Sequence, residues 1–187
     1  MHGLFFDVEP KPGHMPHYFT HVDRLKPILA QHKGLVFLDR YRPLDDAGAL
    51  LSHQLWADEE AIASWRADST HRASQSAGRK IHFDGYRIRV GAMVAHLTQT
   101  ESTNLEDLPA DRLLVVAYGR APILLAHARA YESVNNPGRF VTLAPHGDRA
   151  TAQVLARDAI AQGAEDLRIF AVARDYTLTD RSEAPNP

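Results

Sequence analysis

The sequence predicts an α+β protein built from two βαββαβ modules in tandem, packed sheet to sheet. Two observations carry this prediction. Hydrophobic residues over 4–94 change between strand-like and helical spacing in the order βαββαβ, and part of that pattern returns about ninety residues later. With 187 residues and 44 % hydrophobic content, the chain is large enough to bury two small cores.

The first module contains four predicted strands and two predicted helices. Apolar residues recur every three or four positions in the helices and at alternate positions in the last strand. Proline, glycine and aspartate residues separate the elements. The predicted elements are, in order, a strand at 4–8, a helix at 17–31, strands at 35–42 and 50–56, a helix that begins after Asp58 and kinks at 68–70, and a strand at 86–94.

This order is the split βαβ, or ferredoxin-like, pattern, in which two helices cover one face of a four-stranded antiparallel sheet. In the last strand, Tyr86, Ile88 and Val90 point to one face, and Arg87 and Arg89 point to the other. The face without helices stays bare. Because such a sheet is not stable with one apolar face in water, the first module needs a second sheet against it.

The second half of the chain is predicted to supply that sheet. Residues 97–111 are polar and form a predicted linker, so the domains are expected at 1–96 and 112–187. Beyond the linker, the predicted elements are a strand at 113–118, a short helix at 122–131, and strands at 140–144 and 167–178.

The two halves differ in their polar residues. A shift of about ninety residues places Gly48 on Gly138 and the capping residue Asp58 on Asp148. The same shift pairs four polar or aromatic residues of the first half with different residues of the second, namely Trp65 with Leu155, Arg66 with Ala156, His71 with Ala161, and Gln75 with Glu165. We therefore expect that the second module is degenerate and that only the first module has a pocket with these polar and aromatic residues.

Composition excludes several classes of function. The formal net charge of −2 provides no basic surface for nucleic acid or anionic lipid. The chain has no cysteine, which excludes disulfides, thiolate nucleophiles and cysteine-bound metals. Because we find neither a signal peptide nor an apolar run of about 18 residues, we expect a cytoplasmic protein without a membrane or nucleic-acid partner.

Several short motifs in order resemble the antibiotic biosynthesis monooxygenase (ABM) domain family. The likeness spans residues 4–95. Its motifs are Phe6 to Gly13, Gly34-Leu35, Leu51-Ser52, Trp56 to Ala61, Trp65-Arg66, His71 to Gln75, Gly78-Arg79 and Tyr86 to Val90. The final segments Arg174 to Tyr176, Asp180-Arg181 and Ala184-Pro185 also resemble the tail that often follows such domains.

This resemblance implies a dimeric α/β barrel in which each ferredoxin-like unit holds a pocket between its helices and its sheet. Here the two modules would form such a pseudo-dimer within one chain, and a homodimer through remaining sheet edges is also possible. Some family members oxidise aromatic polyketides with molecular oxygen and without metal or flavin, and others bind and degrade haem.

Cofactor-free oxygenation needs an aromatic-binding wall, a base and a group that stabilises an oxyanion. Trp65 offers a flat wall and one indole donor, or is a plain core tryptophan. His71 could remove the proton from the substrate if the kink at 68–70 turns its side chain toward the pocket. The alternative is that His71 is only a polar residue at the end of a helix. Arg66 and Arg89 could hold an anionic substrate or peroxide, or pair with surface acids.

Further residues are candidates for binding the substrate. Tyr18 and His21 share a helix, His53 lies on the third strand, and Gln75 lies ten residues beyond Trp65. His17 and His21 have the i, i+4 spacing of a metal pair, but no carboxylate accompanies them as in HExxH. We predict no metal site.

Haem-degrading relatives combine an asparagine on the first strand with a tryptophan and a histidine on the second helix. Here Asp7 or a neighbour replaces the asparagine and Gln75 replaces the histidine, although His71 could still ligate iron. The leading prediction is therefore a cofactor-independent monooxygenase that uses molecular oxygen on a small aromatic or polyketide-like compound. The alternative is a non-catalytic protein that binds haem or another hydrophobic small molecule.

Overall fold

The computed structural model describes residues 1–98, 100 and 103–185. The predicted α+β class is confirmed. A π-helical turn at Gly78–His82 leads into the fourth strand. The elements are β1 (His2–Pro10), α1 (Met15–Ala30), β2 (Leu35–Pro43), β3 (Leu50–Trp56), α2 (Glu59–Ala67), α3 (Ser69–Ala77), β4 (Phe83–Thr98), β5 (Leu113–Gly119), β6 (Arg129–Ser133), β7 (Phe140–Leu143), α4 (Arg149–Ala161) and β8 (Asp166–Thr177).

The strands form one closed barrel in the order β1-β3-β2-β6-β7-β5-β8-β4, with antiparallel neighbours throughout. The strands of the first half are adjacent, and so are those of the second. The halves join where β4 pairs with β8 and β2 pairs with β6. The two predicted sheets are thus walls of one barrel, because the pairing of their edge strands leaves no open edge.

The first half has the predicted order βαββαβ, with its second helix divided into α2 and α3. The second half has the order βββαβ, so its predicted first helix at 122–131 is wrong. In that segment the side chain of Gln162 binds both the N–H and the C=O of Leu124, and the hydroxyl of Thr142 donates to the C=O of Ile123. These bonds satisfy backbone groups that a helix would otherwise pair.

The helices cover the outside of the barrel and an apolar core fills its inside. Helices α1 to α3 pack on the outer face of the first half, and α4 packs on that of the second. The largest side chains within the barrel include Phe5, Tyr41, Tyr131 and Phe170. None of the helices in the described part of the chain has the length and hydrophobicity that crossing a bilayer requires.

The predicted linker at 97–111 is only partly described, since residues 99, 101 and 102 lie outside the described residues. Strand β4 extends to Thr98, four residues beyond the predicted end of that strand at 94. A short 3₁₀ turn at Leu105–Asp107 follows, and the side chain of Leu108 is buried against α4.

Candidate functional site

A cavity of about 660 Å³ lies between α2–α3 and the outer face of the first-half strands. This volume is within the range of roughly 300–1,000 Å³ that small-molecule sites occupy. Alternate residues of β1 and β4 face the cavity because successive side chains of a strand point to opposite sides. Its apolar lining includes Leu4, Phe6, Ile62, Trp65, Phe83, Ile88 and Val90.

The last strand and the tail complete this cavity. Arg174 and Tyr176 of β8 line it, followed by Arg181 and Pro185. The guanidinium of Arg181 donates to the hydroxyl of Tyr86 and lies 5.7 Å from the ring centroid of Tyr176. The site residues predicted from the sequence do not include these four positions, although the tail motifs of the resemblance were a signal for them.

The break between α2 and α3 brings His71 to Trp65. Asp68 ends α2 with extended backbone angles (φ −56°, ψ 130°), and its carboxylate accepts a hydrogen bond from the N–H of His71. Asp68 therefore caps α3. Side chains six residues apart do not meet on a straight helix. The predicted kink stacks the rings of Trp65 and His71, with 4.1 Å between their centroids and 14° between their planes.

Hydrogen bonding selects the tautomer of His71. Its Nδ1 lies 3.0 Å from the carbonyl oxygen of Trp65. Because a carbonyl only accepts, Nδ1 carries the proton and the neutral ring keeps its lone pair on Nε2. Burial lowers the pKa of His71, while the Trp65 carbonyl and Asp68 partly oppose this shift. The ring is thus neutral at neutral pH, as a general base must be.

Trp65 is both a core residue and a wall of the cavity. Its side chain is 3 % exposed and packs with Trp56 and Ile62. His32 contacts the indole edge-on at 5.5 Å. The two interpretations of Trp65 that the sequence left open are therefore compatible in the structure.

Arginine is the dominant polar residue of the cavity. Five arginines line it: Arg66, Arg72, Arg79, Arg174 and Arg181. Among the described residues that line it, none is an aspartate or a glutamate. Gln54, Gln75 and Ser76 add neutral polar groups.

Four of the eight predicted site residues line this cavity: Trp65, Arg66, His71 and Gln75. Tyr18 and His21 lie on α1 outside it. Tyr18 is buried against Phe83 and Tyr86, and Nδ1 of His21 lies 3.1 Å from the hydroxyl of Ser74, which joins α1 to α3.

The other two predicted residues, His53 and Arg89, lie inside the barrel. They occupy the inward positions of β3 and β4, so the sheet separates them from the cavity. Arg89 pairs with Asp7 at 2.7 Å, and Nε2 of His53 lies 2.6 Å from the hydroxyl of Tyr118. Neither residue lines this cavity, so the structure does not place them where they were predicted to contact a substrate.

His17 and His21 have the spacing of a metal pair, but each contacts another residue in the structure. The ring of His17 stacks on His82 at 5.1 Å. His14 also approaches His82, with 3.0 Å between their Nδ1 atoms. In residues 1–98, 100 and 103–185, no three His, Asp or Glu side chains have the arrangement of a metal site.

His53 leads to a prediction about acid stability. Burial lowers the pKa of His53 to about 3, so the folded protein holds this ring neutral. Below the unfolded pKa of about 6.5, the unfolded chain binds a proton that the folded chain does not, so stability is complete above that pH and falls with pH toward 3. Between pH 7.5 and 5.5, we expect this residue to cost about 1.4 kcal/mol of unfolding free energy.

Urea unfolding at these two pH values measures this effect. The matched variant is His53→Phe with Tyr118→Phe, which removes both hydrogen-bonding partners and keeps both rings. We expect the wild type to lose about 1.4 kcal/mol more than this variant. Equal losses would show that His53 is not the titrating group.

Comparison with known proteins finds similar sequences and one similar fold. The sequence model of the family described as antibiotic biosynthesis monooxygenase matches residues 1–77. A protein of Pyricularia oryzae named jasmonate monooxygenase ABM is 32 % identical over 110 residues, which are 59 % of this chain and 51 % of that protein. The match thus spans about half the length of that relative. The uncharacterized protein YqjZ of Bacillus subtilis is 26 % identical over 87 residues, 46 % of this chain and 75 % of that protein.

A solved structure shows the fold beyond the matched domain. The crystal structure of an aldoxime dehydratase superposes with a TM-score of 0.57 at 9 % identity, over 98 % of this chain and 88 % of that chain. At this identity the likeness concerns the fold alone. The resemblance predicted from the motifs is confirmed by the family model, which matches residues 1–77 of this chain.

Proposed function

We propose that this protein is a cofactor-independent monooxygenase that oxidises a small aromatic or polyketide-like compound in the cavity beside Trp65. The observation that carries the proposal is the Trp65–His71 pair. The carbonyl of Trp65 holds His71 in the tautomer whose Nε2 is a proton acceptor, on the wall of an apolar cavity. The name of the relative from Pyricularia oryzae supports the same reaction class.

The proposed reaction needs only groups that this chain possesses. Nε2 of His71 removes a proton from an activated CH₂ group, and the resulting carbanion gives one electron to molecular oxygen. The radical and superoxide combine to form a C–O bond, and the peroxide loses water to leave a ketone. One oxygen atom enters the product and the other leaves as water. The guanidinium groups that line the cavity stabilise the enolate and peroxide charge.

Oxygen consumption tests the proposal directly. Protein treated with a chelator and free of flavin is mixed with anthrone or with jasmonate, the compound in the name of one relative, in an oxygen electrode. We expect uptake above the rate of buffer and of heat-denatured protein, since anthrones also oxidise spontaneously. No enzymatic uptake with any electron-rich aromatic or enolisable compound would contradict the proposal.

Trp65→Phe is the first variant to measure. Phenylalanine keeps an aromatic ring but removes part of the wall and the surface on which His71 stacks. We expect the rate to fall about ten-fold, because misplacing the base or the substrate by a fraction of an ångström is sufficient for such a loss. A thermal melt of the same sample must show a folded protein. An unchanged rate would remove Trp65 from the site.

The second candidate is a non-catalytic binder of haem or another hydrophobic molecule. One observation favours it: Nε2 of His71 could ligate iron as well as accept a proton. A haem titration distinguishes the candidates. A Soret shift that His71→Ala abolishes would favour the binder, and an unchanged spectrum would exclude haem.

We further propose that residues 112–187 are a degenerate second copy of the module in 1–96, joined through 97–111 as a pseudo-dimer. The strand order β8-β5-β7-β6 repeats β4-β1-β3-β2 and supports this origin. Asp58 and Asp148 cap α2 and α4 in the same way, by accepting from the N–H three residues later. The sheet edges considered for a homodimer are paired within the chain, so we propose that the barrel needs no second chain.

A further inference from the structure

The cavity combines an apolar body with an excess of positive charge. Five arginines line it and no carboxylate does so among the described lining residues, although the whole chain has a formal net charge of −2. Positive charge is therefore concentrated at this one place. Like charges around one cavity repel each other and destabilise the empty site, unless water or an anion compensates them.

Most of this charge has no carboxylate partner among the described residues. Arg174 pairs with Glu59 at 2.7 Å, and Arg181 donates to the neutral hydroxyl of Tyr86. In the described part of the chain, Arg66, Arg72 and Arg79 have no carboxylate within 4.0 Å. Arg66 is the informative one because it is half-buried, whereas the other two are exposed.

One of these guanidinium groups lies over an aromatic ring of the cavity wall. Tyr176 is buried in the cavity wall, and the ring lies below the guanidinium of Arg181. Burial raises the pKa of the Tyr176 hydroxyl, and the positive charges of Arg174, Arg181 and Arg66 partly oppose that rise. Arg66 and Arg181 both line the cavity, Arg66 from α2 and Arg181 from the C-terminal tail.

We propose that the ligand of this cavity is an amphipathic carboxylate, whose apolar ring system occupies the lining formed by Phe6, Ile88 and Val90 and whose carboxylate binds Arg66 and Arg181. The planar guanidinium matches a carboxylate with two parallel hydrogen bonds. This inference rests on the proposed function only in taking this cavity as the substrate site. It narrows the substrate class from small aromatic compounds in general to aromatic acids.

Calorimetric titration with two matched probes tests this inference. 2-Naphthylacetate and 2-naphthylacetamide share the ring system and differ in charge. We expect the acid to bind about ten- to hundred-fold more tightly than the amide, as a charge-assisted pair implies. Arg66→Gln should remove part of this preference, and Arg66→Gln with Arg181→Gln should remove nearly all of it.

Arg120→Gln is the matched control, because Arg120 is an exposed arginine paired with Glu165 away from the cavity. It should keep the full preference. Equal affinity for the two probes, no binding of either at millimolar concentration, or a preference that survives in the double variant would each overturn the inference. The titration is anaerobic and independent of turnover. Oxygen uptake without a preference for the acid would contradict this inference alone, and a preference without uptake would contradict only the monooxygenase.

Discussion

Asparagine at position 71 is expected to lower the turnover number of the proposed oxidation by about 10²- to 10⁴-fold, the range that a general base contributes. Asparagine can keep a donor near the position of Nδ1, which binds the carbonyl oxygen of Trp65 at 3.0 Å. It has no counterpart to the lone pair on Nε2. The variant therefore removes the base while it preserves the local hydrogen bond.

The pH dependence of the turnover number gives a second readout. Because burial lowers the pKa of His71, the wild-type base is neutral and active at neutral pH and becomes protonated only in acid. The wild-type rate should therefore fall as the pH decreases through the lowered pKa of His71, on the acid side of the ordinary histidine pKa. The residual rate of His71→Asn should lack this acid-side decrease.

His32→Asn is the matched control for this experiment. His32 contacts the same indole ring at 5.5 Å but does not line the cavity. We expect its turnover number to stay within about two-fold of the wild type, since no proton transfer involves it. A His71→Asn protein that keeps more than half of the wild-type turnover number would show that another group is the base.

The second large effect concerns stability. Asp7→Ala is expected to lower the free energy of unfolding by about 3–5 kcal/mol. The carboxylate of Asp7 accepts from Arg89 at 2.7 Å and from the hydroxyl of Tyr131 at 2.7 Å, inside the barrel. Arg89 is 5 % exposed, so the substitution leaves a charge without a partner and nearly without water.

Urea unfolding of three further proteins separates the causes. Asp7→Leu with Arg89→Met removes both charges and should lie within about 2 kcal/mol of the wild type, because an apolar pair of similar volume replaces the ion pair. Asp45→Ala breaks a pair with Arg129 in which the carboxylate is 67 % exposed, and should cost less than about 1 kcal/mol. A loss below about 1 kcal/mol in Asp7→Ala would mean that water reaches Arg89.

Local patterns predicted much of the first half. The alternation at Tyr86, Ile88 and Val90 placed these residues on the face that now lines the cavity. The predicted kink near Asp68 is the cap that begins α3 and stacks His71 on Trp65. Such features depend on residues within a few positions of each other, so the order of residues is sufficient to predict them.

The same local reasoning failed where distant contacts decide the conformation. The periodicity at 122–131 predicted a helix, but hydrogen bonds from Gln162 and Thr142 hold the segment near its start in an irregular conformation. His53 and Arg89 were assigned to the cavity, although their positions on the strands turn them into the barrel. The first error is not visible in a window of ten or fifteen residues. The second one is visible for Arg89, because the alternation in the last strand already placed it on the face opposite Ile88 and Val90.

Local sequence patterns were sufficient to predict the α+β class, the order of elements in the first half and a kink that could return His71 to the cavity. The tertiary structure was needed to show that eight strands close one barrel and that Arg174 and Arg181 complete a cavity that Arg66 also lines. The physical reason is the range of the interactions. Caps and alternation act over a few residues, whereas the pairing of β4 with β8, as at Arg87 with Thr177, joins segments far apart in the chain.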